Sequence, residues 1–399
     1  MIDVLVVGGG PVGMVTALGL ARGGVTVRLI EAQPVLSDSP RAAVYHWSVL
    51  EGLARIGLIE DIERIALKCA DYTYIVKSSG ERISFSMRAL RDHTARPYNL
   101  HLGQHRLVEV VAKQLQAQAN ATVTLDRALV SLAQDSEGVT VRTQGSRESE
   151  EIRAKWVVGA DGAGSTVRKL LNLTFDGMTW PERFIATNLK FDFAKYGFAN
   201  ATFLVDAQFG SVIVPLDDSG LWRCTYMEGA QLAEEHYLQR IPAAYRELLP
   251  GDDSYDLEQA SPYRMHQRSA PSYRVGRVLL AGDAAHSTNP TGGLGLTSGL
   301  FDSYLLQDSL AAVLGGADDG LLTRYSEVRR DIFLNRASPQ AVANKTFIFH
   351  ANGDGERLAG ALSELRKMDH DDERALRRLM FTKSLETPVT FPGSPRISK

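Results

Sequence analysis

Three glycines and one acidic residue near the start of the chain are spaced as a nucleotide-binding turn requires. Gly8, Gly10 and Gly13 follow an apolar run, and Glu31 ends a second one. Gly8 allows a sharp exit from a strand, Gly10 leaves the backbone open to a pyrophosphate, and Gly13 lets a helix pack closely. A diphosphate then lies at the positive end of that helix, and Glu31 accepts hydrogen bonds from a ribose. This pattern predicts dinucleotide binding; the alternative is a glycine turn that only packs.

Two later motifs also place an acid and glycines after an apolar strand. Asp161 precedes a glycine turn in which Ser165 can cap a helix that starts near Thr166. Asp283 ends a third apolar strand and is followed by a glycine-rich turn and a helical run over 300–314. An acid at a strand end can hold a sugar hydroxyl, and the amides of a glycine turn can approach a cofactor closely.

The elements that position these motifs alternate as strand, helix and strand, which is typical of an α/β dinucleotide-binding fold. Between the second and third motifs, the alternating stretches 201–205, 211–215 and 221–227 predict strands of a mostly antiparallel sheet. We therefore expect a Rossmann-type dinucleotide-binding domain (1–71, 101–175 and 271–340), an inserted mostly antiparallel β-sheet domain (72–100 and 176–270) and a C-terminal helical segment (341–399).

Composition limits the class of protein. A chain of 399 residues with a net charge of −3 gives no reason to expect a nucleic-acid partner. No apolar run has membrane-spanning length, so no membrane partner is expected. Cys69 and Cys224 lie far apart, which excludes a dithiol flavoenzyme and favours a reducing, cytoplasmic location. No cluster has metal-ligand spacing, so no metal is expected, and homo-oligomer formation is left open.

The three motifs, in this order and at these separations, resemble those of the flavoprotein aromatic hydroxylases. These are the class A FAD-dependent monooxygenases, of which p-hydroxybenzoate hydroxylase is the type, and the resemblance covers roughly residues 1–340. It implies that the Rossmann-type domain is an FAD-binding domain and that the inserted sheet is a substrate domain. It also implies NADH or NADPH as reductant, and O₂ with a small aromatic compound as substrates. It also implies hydroxylation of a phenolic or hydroxypyridine carboxylic acid through a flavin C4a-hydroperoxide. The alternative is a non-hydroxylating FAD-dependent reductase or flavin carrier of the same fold.

The resemblance also assigns cofactor contacts to particular residues. It makes Asp283 the ligand of the flavin ribityl chain and places Arg41 near the pyrophosphate and the entering nicotinamide. The chain has Gly293-Leu294-Gly295-Leu296-Thr297 where the family more often has Gly-Gln-Gly-Leu-Asn, so backbone contacts to the flavin ring are expected here without the Asn side chain. The remaining implied contacts to FAD or its reductant are Gly8, Gly10, Pro11, Val12, Gly13, Glu31, Gln104, Arg106, Asp161, Gly295, Leu296 and Thr297.

Candidates for contact with the aromatic substrate are fewer. Arg223 and Tyr226 share a predicted strand, and a carboxylate-bearing ring suits a guanidinium and a phenol, although a solvent-facing Arg223 is an equal alternative. His286, on the flavin-facing turn, is a candidate for the substrate or a proton path, and equally for a packing role. Pro290 lies where the family places a backbone carbonyl near the reacting ring. The aromatic pocket candidates, which can also be core, are His46, Trp47, Tyr72 and Tyr74.

Overall fold

The computed structural model describes residues 1–36, 42–198, 200–251, 253–350, 355–369 and 371–387. Its strands in chain order are β1 (Ile2–Val7), β2 (Val27–Ile30), β3 (Val44–Tyr45), β4 (Leu67–Cys69), β5 (Asp71–Val76), β6 (Glu81–Ser86), β7 (Asn99–His101), β8 (Ala121–Thr124), β9 (Ala128–Gln134), β10 (Val139–Gln144), β11 (Ser149–Gly159), β12 (Asp176–Lys190), β13 (Ala201–Val205), β14 (Ser211–Pro215), β15 (Leu221–Gly229), β16 (Asp256–Ser269), β17 (Arg274–Val275), β18 (Val278–Leu280) and β19 (His286–Ser287). Its α-helices are α1 (Pro11–Arg22), α2 (Trp47–Arg55), α3 (Ile59–Glu63), α4 (Gln104–Gln116), α5 (Thr166–Leu170), α6 (Tyr237–Leu248), α7 (Leu294–Leu314), α8 (Gly320–Ile332), α9 (Ser338–His350), α10 (Gly355–Asp369) and α11 (Asp372–Lys383).

The first sheet brings the three sequence motifs to one edge. Its strand order is β17-β18-β11-β1-β2-β8, and the pairs from β18 to β8 are parallel. Strand β18 and the last four residues of both β1 and β11 are apolar or glycine and buried, as is typical of a parallel sheet covered on both faces. The carboxyl ends of these three strands carry the Gly8 turn, Asp161 and Asp283, which is where open α/β sheets bind ligands.

The second sheet is antiparallel except for one pair. Its order is β19-β16-β12-β15-β14-β13-β5-β6, with β13 and β5 parallel. The three stretches that the alternating pattern predicted as strands are β13, β14 and β15. One face of the sheet packs with α6, and the other packs with α9, α10 and α11. Together the two sheets and the C-terminal helices confirm the predicted fold class.

A third, small sheet joins the other two. Strand β7 lies between β3 and β4, with antiparallel pairing on both sides. Strand β3 follows residues 42 and 43, β4 is followed directly by β5 of the antiparallel sheet, and β7 is followed by α4. The small sheet therefore lies where the chain passes between the two larger sheets.

Helix α7 begins earlier than the sequence pattern indicated. The apolar run predicted a helix from residue 300, whereas the helix starts at Leu294. Gly293 at its N-cap adopts a φ of +67°, a backbone conformation that favours glycine and that ends the preceding turn abruptly. Gly295, Leu296 and Thr297 therefore form the first helical turn rather than part of a loop.

Candidate active site

The first glycine turn is closed at two positions and open at a third. A Cβ atom at Gly8, whose φ is +115°, would lie 2.4 Å from the Ala160 carbonyl oxygen, and one at Gly13 would lie 2.0 Å from the Gly8 carbonyl oxygen. A Cβ atom at Gly10 would meet no atom of the described residues within 4 Å. Gly10 is also the N-cap of α1, so the open position faces the positive end of that helix. This arrangement fits the pyrophosphate of FAD.

Glu31 is held at the same turn by backbone groups. Its Oε2 accepts a hydrogen bond from the Gly9 N–H at 2.7 Å, and its Oε1 accepts one from the Gln33 N–H at 2.9 Å. These two backbone donors hold the carboxylate in place. The acid that the sequence assigned to the ribose is thus preorganised beside the diphosphate turn.

Val12 joins the first motif to the third. A Cβ atom at Gly282 would lie 2.9 Å from Val12 Cγ2, and one at Gly299 would lie 2.7 Å from the same atom. The two glycines therefore form a notch that the Val12 side chain fills, which packs α1 against α7 and the Gly282 turn. Cofactor contacts by Val12 and its neighbour Pro11 stay predictions.

Asp161 caps a helix within the described structure. Its Oδ2 accepts hydrogen bonds from the Thr166 and Val167 N–H groups at 2.7 and 3.1 Å, and its Oδ1 accepts one from the Ser165 hydroxyl at 2.5 Å. The Ser165 hydroxyl in turn accepts a hydrogen bond from the Arg168 N–H, which confirms the prediction that Ser165 caps a helix starting near Thr166. The role of Asp161 toward FAD and its reductant stays a prediction, and its observed role is to shape the second glycine turn.

Arg168 links the second and third motifs, although no role was predicted for it from the sequence. Its guanidinium, 4% exposed, donates to the Ala163 carbonyl oxygen at 2.6 Å and to the Ala284 carbonyl oxygen at 2.8 Å. The ring of Phe175 lies 3.7 Å from its Cζ. An arginine directly after a glycine turn was the only signal in the sequence, because its acceptors lie 116 residues apart from it or within its own turn.

The third motif exposes an acid and a helix N-terminus. Asp283 is exposed in the short turn after β18, where Gly282 adopts a φ of +59°. Gly295 and Leu296 occupy the first turn of α7, where backbone N–H groups have no acceptor within the helix. The Thr297 hydroxyl donates to the Gly293 carbonyl oxygen at 3.0 Å, so this side chain serves the helix. The backbone contacts that the resemblance implied are therefore sterically accessible at Gly295.

A buried ionic network supports that motif from behind. Asp302 on α7 contacts His286 Nε2 at 2.6 Å and Arg329 Nε at 2.7 Å, and it accepts from the Gly282 N–H at 3.0 Å. All three side chains are fully buried. Burial raises the pKa of Asp302, but the charges and hydrogen bonds of His286 and Arg329 outweigh it and lower the pKa to about 2. His286 also stacks on Phe333 with ring centroids 4.4 Å apart, so its observed contacts combine packing with the polar contact to Asp302, and a role toward the substrate or a proton path stays a prediction.

Arg223 and Tyr226 are not brought together. On β15, Tyr226 packs in the apolar cluster beneath α6, with its ring centroid 6.3 Å from that of Tyr245. Residues three apart on a strand point to opposite faces of the sheet. The two side chains therefore cannot hold one substrate, which corrects the expectation that they act as a pair.

Arg223 faces the nucleotide-binding domain. It is directly opposite Val214 in register, and Val214 packs with Ala43 next to the small sheet. Its Nε donates to Asn188 Oδ1 at 2.7 Å, and the side chain is 4% exposed. Burial lowers the pKa of Arg223 to about 10, so the guanidinium stays charged at neutral pH.

Three of the aromatic pocket candidates, His46, Trp47 and Tyr72, lie at the small sheet, and Tyr74 does not. His46 Nε2 lies 2.8 Å from the Gly292 carbonyl oxygen, and burial lowers the pKa of this imidazole. The backbone N–H of Trp47 donates to Asn99 Oδ1 at 3.0 Å, and Asn99 Nδ2 donates to the Tyr72 hydroxyl. Tyr74 packs between aromatic rings of the sheet and accepts a hydrogen bond from Arg378 on α11.

The remaining predicted residues lie on the rim or outside the described structure. Gln104 begins α4, and its N–H donates to the Ala42 carbonyl oxygen at 3.1 Å. Arg106 is exposed and pairs with Glu109 one turn later. Pro290 is exposed, and its carbonyl oxygen accepts from the Gly293 N–H at 3.0 Å. Arg41 lies outside the described residues.

Other features of the described residues lie elsewhere. A cavity of about 570 Å³ opens between β17 and α8, and Arg274, Thr323 and Arg330 are among its lining residues. None of its lining residues belongs to the three motifs. Within the described ranges, no group of His, Cys, Asp and Glu side chains is arranged to hold a metal ion. No helix in that part of the chain is both long and apolar enough to cross a membrane.

Comparison with known proteins agrees with this geometry. A protein-family profile described as an FAD binding domain matches residues 1–336. The chain is 41% identical over 386 residues to a 6-hydroxy-3-succinoylpyridine 3-monooxygenase of Pseudomonas putida, which covers 96% of this chain and 98% of that protein. It is 42% identical over 350 residues to a para-nitrophenol 4-monooxygenase of a Pseudomonas species, with 86% of this chain and 87% of that protein covered.

Solved structures give the same assignment. The crystal structure of p-nitrophenol 4-monooxygenase from Pseudomonas putida matches with a TM-score of 0.94 at 38% identity, over 98% of this chain and 99% of that chain. A flavin-dependent monooxygenase in complex with FAD and substrate matches with a TM-score of 0.79 at 25% identity, over 96% of this chain and 71% of that chain. The chain belongs to the class A FAD-dependent aromatic monooxygenases. It is an FAD-dependent monooxygenase of aromatic substrates, which confirms the family, the cofactor FAD and the enzyme class predicted from the sequence.

Proposed function

We propose that this enzyme uses NADH or NADPH to hydroxylate a phenol or hydroxypyridine that carries a carboxylate or nitro group. The observation that carries the proposal is the buried guanidinium of Arg223 on the sheet face that packs against the nucleotide-binding domain. A buried cation favours a carboxylate or nitro group because charge-assisted hydrogen bonds are strong away from water. The names of two relatives, a hydroxypyridine and a nitrophenol monooxygenase, support the same class of ring.

The cofactor is proposed to lie along the edge formed by the three motifs. The Gly10 turn would hold its pyrophosphate, Glu31 its adenosine ribose and Asp283 its ribityl chain. The first turn of α7, with Gly295, would direct backbone N–H groups at the flavin ring. When bound, FAD supplies the redox chemistry, taking electrons from the nicotinamide and delivering them to O₂ for ring hydroxylation.

The chain's own residues would then position the ring and exclude water. Arg223 would orient the carboxylate or nitro end of the substrate, with its guanidinium fixed by Asn188. The carbonyl of Pro290 would lie near the reacting ring. We propose for His286 a positioning role, exerted through Asp302 on the Gly282 turn, in place of direct contact with the substrate.

The proposal is tested with FAD-loaded protein and a panel of phenolic and pyridinic acids. We expect oxidation of NADH or NADPH to accelerate when a suitable ring is present, because a reduced flavin without substrate wastes reductant as peroxide. With isotopically labelled O₂, one labelled atom should enter each hydroxylated product. Label found only in water or peroxide for every ring would contradict the hydroxylase. A cytoplasmic location and a homo-oligomer stay predictions, and light scattering of the purified protein tests the second.

A further inference from the structure

The imidazole of His101 bridges the small sheet and the antiparallel sheet. His101 is the last residue of β7 and is fully buried. Its Nδ1 lies 3.2 Å from the carbonyl oxygen of Pro215, which ends β14. No local pattern indicates a role for this histidine, because its acceptor lies 114 residues further along the chain.

The contact with Pro215 fixes which ring nitrogen carries hydrogen. A carbonyl oxygen only accepts hydrogen bonds, so Nδ1 of His101 must be the donor. Burial, aided by His46 and opposed by the Pro215 hydrogen bond, lowers the pKa of His101 to about 4, so the ring is neutral at neutral pH. In a neutral imidazole with hydrogen on Nδ1, Nε2 is a hydrogen-bond acceptor.

This acceptor is buried without a partner. No atom of the described residues forms a hydrogen bond with His101 Nε2. A buried polar atom left unpaired costs about 1–3 kcal/mol, so native proteins rarely retain one without a reason. Such an acceptor is satisfied by an ordered water or by an O–H or N–H donor of a ligand.

The surroundings of His101 indicate which ligand reaches it. Asn99 and His101 share one face of β7 because they are two residues apart, and Asn99 contacts the Tyr72 hydroxyl on the antiparallel sheet. His46, close enough to affect the titration of His101, contacts the carbonyl oxygen of Gly292. The acceptor thus lies where the small sheet, the antiparallel sheet and the turn before α7 meet.

We propose that His101 Nε2 accepts a hydrogen bond from the ring hydroxyl, or the ring N–H, of the aromatic substrate. This inference rests on the function proposed above. The contact selects hydroxylated rings over their alkyl ethers. A hydroxyl that donates to a neutral acceptor gains negative charge on its oxygen, which makes the ring more electron-rich for hydroxylation. Arg223 then donates hydrogen bonds to the carboxylate or nitro group of the ligand, and His101 accepts one from its ring hydroxyl or ring N–H.

The wild-type enzyme alone tests this selection. FAD-loaded protein is titrated with 4-nitrophenol and with its methyl ether, 4-nitroanisole, below the pKa of the phenol so that the donor is present. The change in flavin absorbance gives each Kd. We expect the phenol to bind about 10- to 100-fold more tightly, as befits one buried hydrogen bond. Equal affinities would overturn the assignment to His101, whereas a flavin that responds to neither compound nor to any ring of the panel above would overturn the proposed function itself.

Two variants then separate the acceptor from the structural contact. In His101→Asn the amide nitrogen can still donate to Pro215, but no acceptor remains at the Nε2 position. In His101→Gln the amide oxygen can reach that position. We expect His101→Asn to lose about 10-fold or more in affinity for the phenol with an unchanged Kd for the ether, and His101→Gln to restore most of the preference. Equal loss for both ligands in both variants, or a preserved preference in His101→Asn with normal FAD content, would overturn the proposal.

Discussion

Arg223 and Tyr226 lie three residues apart on β15 and point to opposite faces of the antiparallel sheet. Arg223 faces the nucleotide-binding domain through its neighbour Val214, whereas Tyr226 packs beneath α6. The strand thus separates the buried guanidinium, on the face toward Ala43, from the apolar cluster beneath α6. Substitutions at these two positions give a matched pair for locating the substrate.

Arg223→Ala is expected to raise the KM for a carboxylated or nitrated ring by about 10- to 100-fold, since one charge-assisted hydrogen bond is lost. FAD content should be unchanged. Tyr226→Phe should leave KM unchanged, because its hydroxyl has no hydrogen-bond partner among the described residues and lies on the far face. Steady-state oxidation of NADH or NADPH measures both. A KM that rises in Tyr226→Phe but not in Arg223→Ala would place the substrate on the face that carries α6 and would contradict the role of Arg223.

Gly10→Val is expected to abolish FAD retention in a folded protein. The position has open space around a Cβ atom, so the added side chain disturbs no protein contact and occupies the path of the pyrophosphate. Gly360→Val on α10, also in open space, is the control for the added side chain. The ratio of flavin to protein absorbance and far-ultraviolet circular dichroism provide the measurement. Full flavin content in Gly10→Val would contradict the pyrophosphate site.

Asp283→Asn is expected to weaken FAD binding by about 10-fold, because a neutral amide accepts weaker hydrogen bonds from ribityl hydroxyls than a carboxylate does. Asp218→Asn, at another exposed aspartate, should retain flavin normally. Fluorescence of flavin released on dilution gives the Kd of each variant. If Asp283→Asn held FAD as the wild type does and lost only aromatic affinity, the ribityl assignment would be wrong.

Asp302→Asn is expected to destabilise the fold by about 3–5 kcal/mol, because it leaves Arg329 buried without its carboxylate. Asp308→Asn on the same helix breaks only the partly exposed pair with Arg55 and should cost less than about 1 kcal/mol. Denaturant unfolding of both proteins measures the difference. Similar losses in the two variants would show that the buried network contributes little.

The same network predicts a dependence on pH. The pKa of Asp302 in the folded protein, about 2, lies below that of an unfolded aspartate, about 3.9. Its stabilisation is therefore fully present above pH 4 and is lost as the pH falls toward the folded value. The free energy of unfolding of the wild type should fall toward that of Asp302→Asn over this acid range. Parallel profiles for the two proteins would show that the Asp302 carboxylate is not the titrating group.

The sequence determined the parts of this protein whose physics is local. Buried parallel strands, the glycine turns after them and Ser165 as a helix cap are each specified by neighbouring residues, so the fold class and the FAD-binding edge followed from the motifs. The opposite orientation of Arg223 and Tyr226 was also implicit in a period of two, but which face meets the flavin was not.

Tertiary structure decided the parts that depend on long-range contacts. Asp302 meets His286 and Arg329 only because α7, β19 and α8 pack together, and His101 meets the end of β14 only across two sheets. Side chains of this kind look like ordinary polar residues within apolar stretches. Their chemistry arises when burial removes water and supplies a particular partner, or withholds one, and that is a property of the packed chain rather than of any local pattern.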